Sequence, residues 1–212
     1  MKIVDNFSLI KEYIKNNPCD EDHFYFVQIL VRGKDGNNKQ PGINGNNKNR
    51  MVKYYTVQSI EELERYESEM KGIAELVNGR VYIHPARRSF KQVAIEMLVE
   101  YATMMKTGSL RTLKSAFSTA SSKVFLERIY IVDVDDIDID DTENVKKHVD
   151  LVINSSQDKT KDVILAVVPT VCGFHILAKP FNVKKYADTI GKPIEESVKK
   201  NNPTLLYFCK KH

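Results

Sequence analysis

The chain has 212 residues, of which 42% are hydrophobic and 28% charged, and a formal net charge of +4. That is ordinary for a soluble globular protein with a sizeable core, organised as one domain or as one domain with an appendage. No apolar run approaches the roughly 18 residues of a bilayer span, and the N-terminal stretch lacks a signal-peptide apolar segment, so the expectation is a cytoplasmic protein with no membrane partner.

In chain order, residues 8–17 carry a helical stripe of Leu9, Ile10, Tyr13 and Ile14. Phe24 to Arg32 is aromatic and β-branched, which reads as a strand. Residues 33–50 are rich in Gly, Asn and Lys and form the clearest loop. Val52 to Val57 is a second strand, so the two make a hairpin with a long basic tip. Ser59 followed by Glu62 has capping-box spacing and opens a helix to about Val77, ended by Asn78-Gly79. Arg80 to Pro85 reads as a strand. Ser89 is placed to cap a helix whose core stripe is Val93, Met97, Leu98, Tyr101 and Met105. Leu110 to Ser122 fits a helix or a loop.

Ile129 to Val134 is apolar on both faces, which marks a central strand. Thr142 opens a helix with Val145, Val149, Leu151 and Val152 turned inward. Val163 to Val168 is a buried strand, and His175 to Ala178 is its hairpin partner across a turn at Gly173. Helices are expected from Asn182 or Val183 to Ile190 and from Pro193 to Lys200, and Thr204 to Phe208 is a closing strand. Helices alternate with strands that include two hairpins, so the fold class is α+β. The three cysteines, Cys19, Cys172 and Cys209, show neither metal-ligand spacing nor a disulfide framework.

Charge is unevenly placed. Basic residues gather at Lys34 to Lys53, Arg80 to Lys91, Lys106 to Lys123 and Lys179 to Lys185, and acids gather at Asp133 to Glu143. Asp133 and Asp135 are two apart at the end of a strand, so both carboxylates project from one face. Such a pair raises its own pKa values unless a cation lies between them. Hard oxygen ligands favour Mg²⁺ or Mn²⁺. An EF-hand starting at Asp136 fails, because its sixth position is Asp141 rather than Gly and its twelfth is Lys147. Asp136, Asp138, Asp140 and Asp141 read as a solvated loop entering a helix N-terminus. In Pro169 to Phe181, Thr170 and Gly173 stand at the turn, and His175 and Lys179 share a strand face suited to phosphate.

The strand ending at Asp133-Val134-Asp135, then a helix, a strand and Gly173-Phe174-His175, resembles the catalytic core of the archaeo-eukaryotic primase superfamily, the primase-polymerases. The resemblance covers roughly residues 125–208. It implies an RRM-like core with a mixed or antiparallel sheet and flanking helices in residues 125–212, preceded by an α/β extension in residues 1–124, all as one domain. The region before it resembles the N-terminal half of small phage-like proteins. The resemblance further implies a nucleotidyltransferase with nucleoside triphosphate and nucleic-acid partners. Asp133 and Asp135 would hold Mg²⁺ or Mn²⁺, and His175, with Lys179, would contact the triphosphate. The chain departs from the family in one place: the third acid on a later strand is missing from Thr204 to Phe208, and Asp188, Glu195 and Glu196 fall on predicted helices. Asp162 or Asp150 is left as its source, or it is absent. A non-catalytic binding module and a metal-dependent nuclease therefore stand as alternatives.

Two further elements bear on nucleic acid. Arg87 and Arg88 follow a strand and are placed to grip phosphate. The loop at 33–50 is placed to track a backbone, with Tyr54 and Tyr55 as either stacking groups or strand core.

Overall fold

The structure, a computed structural model, describes residues 2–33, 49–108 and 113–210. Its strands form two antiparallel sheets. The first contains β1 (Lys2–Asp5), β2 (His23–Val31), β3 (Arg50–Val57), β4 (Arg80–Ile83), β5 (Arg88–Ser89) and β10 (Thr204–Lys210), in the order β1-β10-β4-β2-β3 with β5 beside β2. The second contains β6 (Tyr130–Asp135), β7 (Ile164–Pro169), β8 (Gly173–Ala178) and β9 (Val198–Lys200), in the order β7-β8-β6-β9. The fold class is α+β. Among the described residues, no helix is long and apolar enough to cross a membrane.

The helices are α1 (Phe7–Asn16), α2 (Ile60–Leu76), α3 (Phe90–Thr107), α4 (Leu113–Lys123), α5 (Thr142–Ser155), α6 (Val183–Ile190) and α7 (Ile194–Ser197). Their starts follow from local chemistry. Ser59 accepts a hydrogen bond from Glu62 N, and the Glu62 carboxylate accepts one from Gln58 N at 2.8 Å. The first bond satisfies an amide that a bare helix end would leave unpaired, and the second ties the residue before the cap to the first turn. Ser89 caps α3 through Gln92 N, Asp141 caps α5 through Asn144 N, and Asn182 caps α6 through Lys185 N. Gly108 ends α3 in the left-handed region at φ +67°, where a residue without Cβ is favoured.

Strand alternation then assigns faces. On β2, Tyr25, Val27 and Ile29 enter the main core beneath α1 and α2, while Phe24 and Phe26 pack against α3 and α4. On β6, Val132 and Val134 turn to a second core under α5 and α6. Ile131 turns the other way, joining Leu177, Val168 and the α1 residues Phe7, Ile10 and Ile14 in the main core. Both sheets therefore share one apolar cluster. Asn6 adds a polar tie: its side-chain amide donates to Pro169 O at 2.9 Å and to Leu205 O at 2.8 Å, joining β7 to β10.

Several sequence expectations are corrected. The helix expected from Pro193 to Lys200 is only the turn α7, and Val198–Lys200 is strand β9. The strands β1 and β5 were not foreseen. On α3, Val93 is buried as expected, but Leu98 is 69% and Met105 78% exposed while Met104 is buried. Leu110 to Ser122 resolves in favour of a helix from Leu113 onward. Tyr54 and Tyr55 are strand core: Tyr54 stacks on Phe117 with ring centroids 4.7 Å apart, and Tyr55 packs on Tyr66. The tip of the basic loop, residues 34–48, lies outside the described residues.

Candidate functional site

The second sheet supplies one wall of a cleft. The β6–β8 register places Asp133 opposite His175 and Asp135 opposite Gly173. His175 Nε2 lies 3.2 Å from Asp133 Oδ1. An ionised carboxylate only accepts hydrogen bonds, so Nε2 carries the proton of this contact. On its other side, His175 Nδ1 lies 2.9 Å from the hydroxyl of the fully buried Thr204. The imidazole is thereby fixed from both ends, by β6 and by β10.

Burial pushes the Asp133 carboxyl up, but the hydrogen bond and charge of His175, with the charges of Lys199 and Arg32, more than offset it and hold it below its ordinary value. The mutual elevation expected of an isolated carboxylate pair is thus not what governs Asp133. The protein's own cations already relieve it. Asp135, at the strand end, is exposed.

Gly173 has a role different from the expected turn. A Cβ at this position would lie 2.0 Å from Val134 O, inside the backbone of β6. Only glycine lets β8 close against β6 here, and that closure is what aligns His175 with Asp133.

The first sheet supplies the facing wall. Leu30, Arg32, Arg80, Tyr82 and Leu205 line a cleft of about 530 Å³ with Asp133, Asp135 and His175. Thr170, Val171 and Cys172 of the β7–β8 turn, and Asn202 and Pro203 before β10, form its rim. The size lies within the range of small-ligand sites. Arg32 Nη1 donates to Tyr82 OH at 3.4 Å. The Arg80 guanidinium sits 4.6 Å over the Phe208 ring, which orients the group. Sequence reasoning assigned no site role to Arg32, Arg80 or Tyr82. The two arginines carry a signal in the sequence, charge at strand ends, whereas Tyr82 within β4 carries none.

Of the expected site residues, Asp133, Asp135, His175 and Thr170 come together in this cleft, with Gly173 behind them. Three others do not join it. Lys179 follows the opposite end of β8, four residues from His175, about 13 Å along the strand. Arg88 is fully buried, bonded to Ser121 O, Ala86 O and His84, so its guanidinium is closed to a phosphate backbone. Arg87 donates to Glu127 at 2.9 Å and to Pro18 O. Both lie by β5, which pairs with Phe24, whereas Arg32 follows the other end of β2, about 26 Å away along the strand.

The acids considered as a third carboxylate are also elsewhere. Asp162 precedes β7, at the end where Ile164 pairs with Ala178. Asp150 is on α5 and Asp188 on α6, the helices that cover the opposite face of β6. Glu195 and Glu196 are exposed on α7. The strand on the other side of β6 is β9, which pairs with Tyr130 to Val132 rather than with Asp133 and carries Lys199 and Lys200. Among the described residues no group of three or more metal-ligating side chains occurs.

Two carboxylates still suit one kind of ion. Mg²⁺ retains several waters and is held by one or two carboxylates plus phosphate oxygens of a substrate, rather than by a complete protein cage. Asp133 and Asp135 offer a donor set of that size and no larger. Compared with protein-family models, with curated proteins and with solved structures, the chain matches none.

Proposed function

We propose that the cleft between the two sheets binds the triphosphate of a nucleotide through a divalent ion, in a primase-polymerase-like nucleotidyltransferase with an RRM-like C-terminal half. The observation that carries this reading is the meeting of a carboxylate pair with two arginines in one cleft. Arginines alone would suit any anion. Carboxylates alone would repel one. Their coexistence is explained when phosphate is held by arginine on one side and by a carboxylate-bound cation on the other.

In this reading Asp133 and Asp135 hold Mg²⁺ or Mn²⁺, which when bound neutralises phosphate charge and polarises the reacting phosphoryl group. Arg32 and Arg80 take the phosphate oxygens on the opposite wall. His175, braced by Thr204, fixes the Asp133 carboxylate and keeps its Nε2 proton directed at the site. Thr170 borders the entrance, where the nucleic-acid strand would meet the nucleotide.

Isothermal titration of a nucleoside triphosphate in the presence of Mn²⁺ tests the reading. Binding is expected for the wild type, abolished by Asp133→Ala with Asp135→Ala, and weakened about tenfold or more by Arg32→Ala with Arg80→Ala, as expected for lost charge-assisted hydrogen bonds. Unchanged affinity in both double variants would remove the proposal.

A second reading is favoured by β9, the neighbour of β6, which carries Lys199 and Lys200 opposite Ile131 and Tyr130 where a further acid would be sought. With Asp133 and Asp135 the only acids among the described residues that line it, the same cleft serves a nucleotide-binding module that performs no transfer. Incorporation of labelled nucleotide into a primed template with Mn²⁺, lost in His175→Ala, selects the enzyme. Binding without incorporation selects the module.

A further inference from the structure

Helix α3 carries two apolar faces, and the fold buries one of them. Val93 and Met97 pack with Phe24 and Phe26 of β2 and with Phe117 and Ala120 of α4, and Met104 is buried as well. Half a revolution away, Ile95, Leu98, Val99 and Met105 are exposed, at 54%, 69%, 53% and 78%, with exposed Ala102 between them. A single exposed leucine needs no explanation, but large apolar side chains aligned along one helix mark an interaction surface. Their spacing narrows its kind. Ile95, Leu98, Ala102 and Met105 follow at steps of three, four and three, which are the a and d positions of a heptad. A second helix requires that spacing, whereas a lipid surface does not. The seam is about 15 Å long, nearly three helical turns. No residue of α3 lines the cleft, so this surface is independent of the nucleotide reading.

The charges at the ends of the seam say which helix fits. Lys91 stands one step of four before Ile95, and Lys106 directly follows Met105; both are exposed on the outward face. Among the described residues neither ammonium forms an ion pair. The two acids of α3, Glu96 and Glu100, are both held by Lys123 of α4. Two copies of the seam laid antiparallel would set Lys91 against Lys106, and laid parallel would set each lysine against itself. Like charges meet in either case. The segment at 34–48 has Ile43 as its one large apolar residue, so it does not supply the missing apolar partner. We infer that the outer face of α3 is a docking surface for an amphipathic helix of a different protein, whose apolar seam is bounded at both ends by acidic residues. The partner's apolar side chains cover Ile95, Leu98, Ala102 and Met105, and its carboxylates meet Lys91 and Lys106.

The probes are two synthetic helices of about 20 residues, both with leucine at a and d, one with glutamate and the other with lysine at the flanking positions. Binding of each labelled peptide to the full chain is followed by fluorescence anisotropy, and every variant is checked for folding by circular dichroism. The wild type is expected to bind the glutamate peptide about tenfold more tightly than the lysine peptide, as two attractive contacts exchanged for two repulsive ones imply. Lys91→Glu with Lys106→Glu is expected to reverse that preference. Leu98→Glu is expected to weaken binding of the glutamate peptide by about tenfold or more. Leu76→Glu, at another exposed leucine, on α2, is expected to leave it unchanged. Absence of binding, equal affinity for the two peptides, or a preference that survives the charge reversal overturns the inference. Self-association of the wild type in sedimentation, lost in Leu98→Glu, would overturn it in favour of a second copy. Co-sedimentation with anionic phospholipid vesicles, lost in Leu98→Glu, would overturn it in favour of a lipid surface.

Discussion

Two histidines on neighbouring parts of the fold make opposite uses of the same ring. His84 Nδ1 is 3.0 Å from Arg88, and His175 Nε2 is 3.2 Å from Asp133. A guanidinium only donates, so His84 accepts and stays neutral; burial, then the Arg88 charge, push its pKa down to about 3. His175 instead donates to a carboxylate and faces a cleft. The first pair is sealed against Ser121 of α4, and among the described residues no carboxylate is bonded to Arg88. The second is open to a ligand. The sign of the neighbour and access to solvent, not the residue type, separate a packing histidine from one that lines a cleft.

This contrast can be broken most sharply at Arg88. Arg88→Ala leaves Ser121 O, Ala86 O and His84 Nδ1 without their partner in a dry interior. The expected loss is about 3 kcal/mol or more in urea unfolding, with nucleotide affinity of the folded protein unchanged. Normal stability with lost nucleotide binding would return Arg88 to the site. A somewhat smaller effect is expected at Gly173. A Cβ there meets Val134 O, so Gly173→Ala must part β8 from β6, at about 1–3 kcal/mol, and must displace His175 from Asp133. Its signature is weakened Mn²⁺-dependent nucleotide binding in a folded protein; wild-type binding would show that the alignment does not matter.

The Asp133–His175 pair also has a pH signature. Asp133 is held below its ordinary value of 3.8, so its contribution is complete above that pH and is lost as pH falls through the lower folded-state value. The stability difference between wild type and Asp133→Asn should therefore shrink as pH falls below 3.8, when followed by chemical denaturation at each pH. A difference that grows on acidification would mean that the carboxyl is raised, not lowered. The smallest effect belongs to Lys179→Ala. Lys179 is exposed and outside the cleft, so stability should change by less than about 0.5 kcal/mol and nucleotide affinity not at all. A tenfold loss of affinity in titration would place the ligand along β8 instead.

The elements that local chemistry writes were legible in the chain. Ser59, Ser89 and Asn182 announce their helices because a cap acts within three or four residues. The run ending at Asp135 announces a central strand, and period-two geometry alone puts Asp133 and Asp135 on one face. The short strands were not legible. Three-residue β9 exists because β6 lies beside it, and β1 because its register meets β10 some two hundred residues later. On α3 the sequence offers apolar residues around most of the helix, so it could not choose between Met104 and Met105 for the interior.

The site divides in the same way. Sequence by itself determined the carboxylate pair and a histidine after a glycine, since each is a matter of spacing along one strand. Only tertiary structure set His175 against Asp133, brought Arg32 and Arg80 of the first sheet across from them, and put Lys199 rather than an acid on the flanking strand. It also enclosed Arg88, whose adjacent-arginine pattern had pointed outward. The reason is physical. Periodicity fixes which face of its own element a side chain occupies, but what that face meets depends on pairings between distant segments, and electrostatic roles are decided by those meetings.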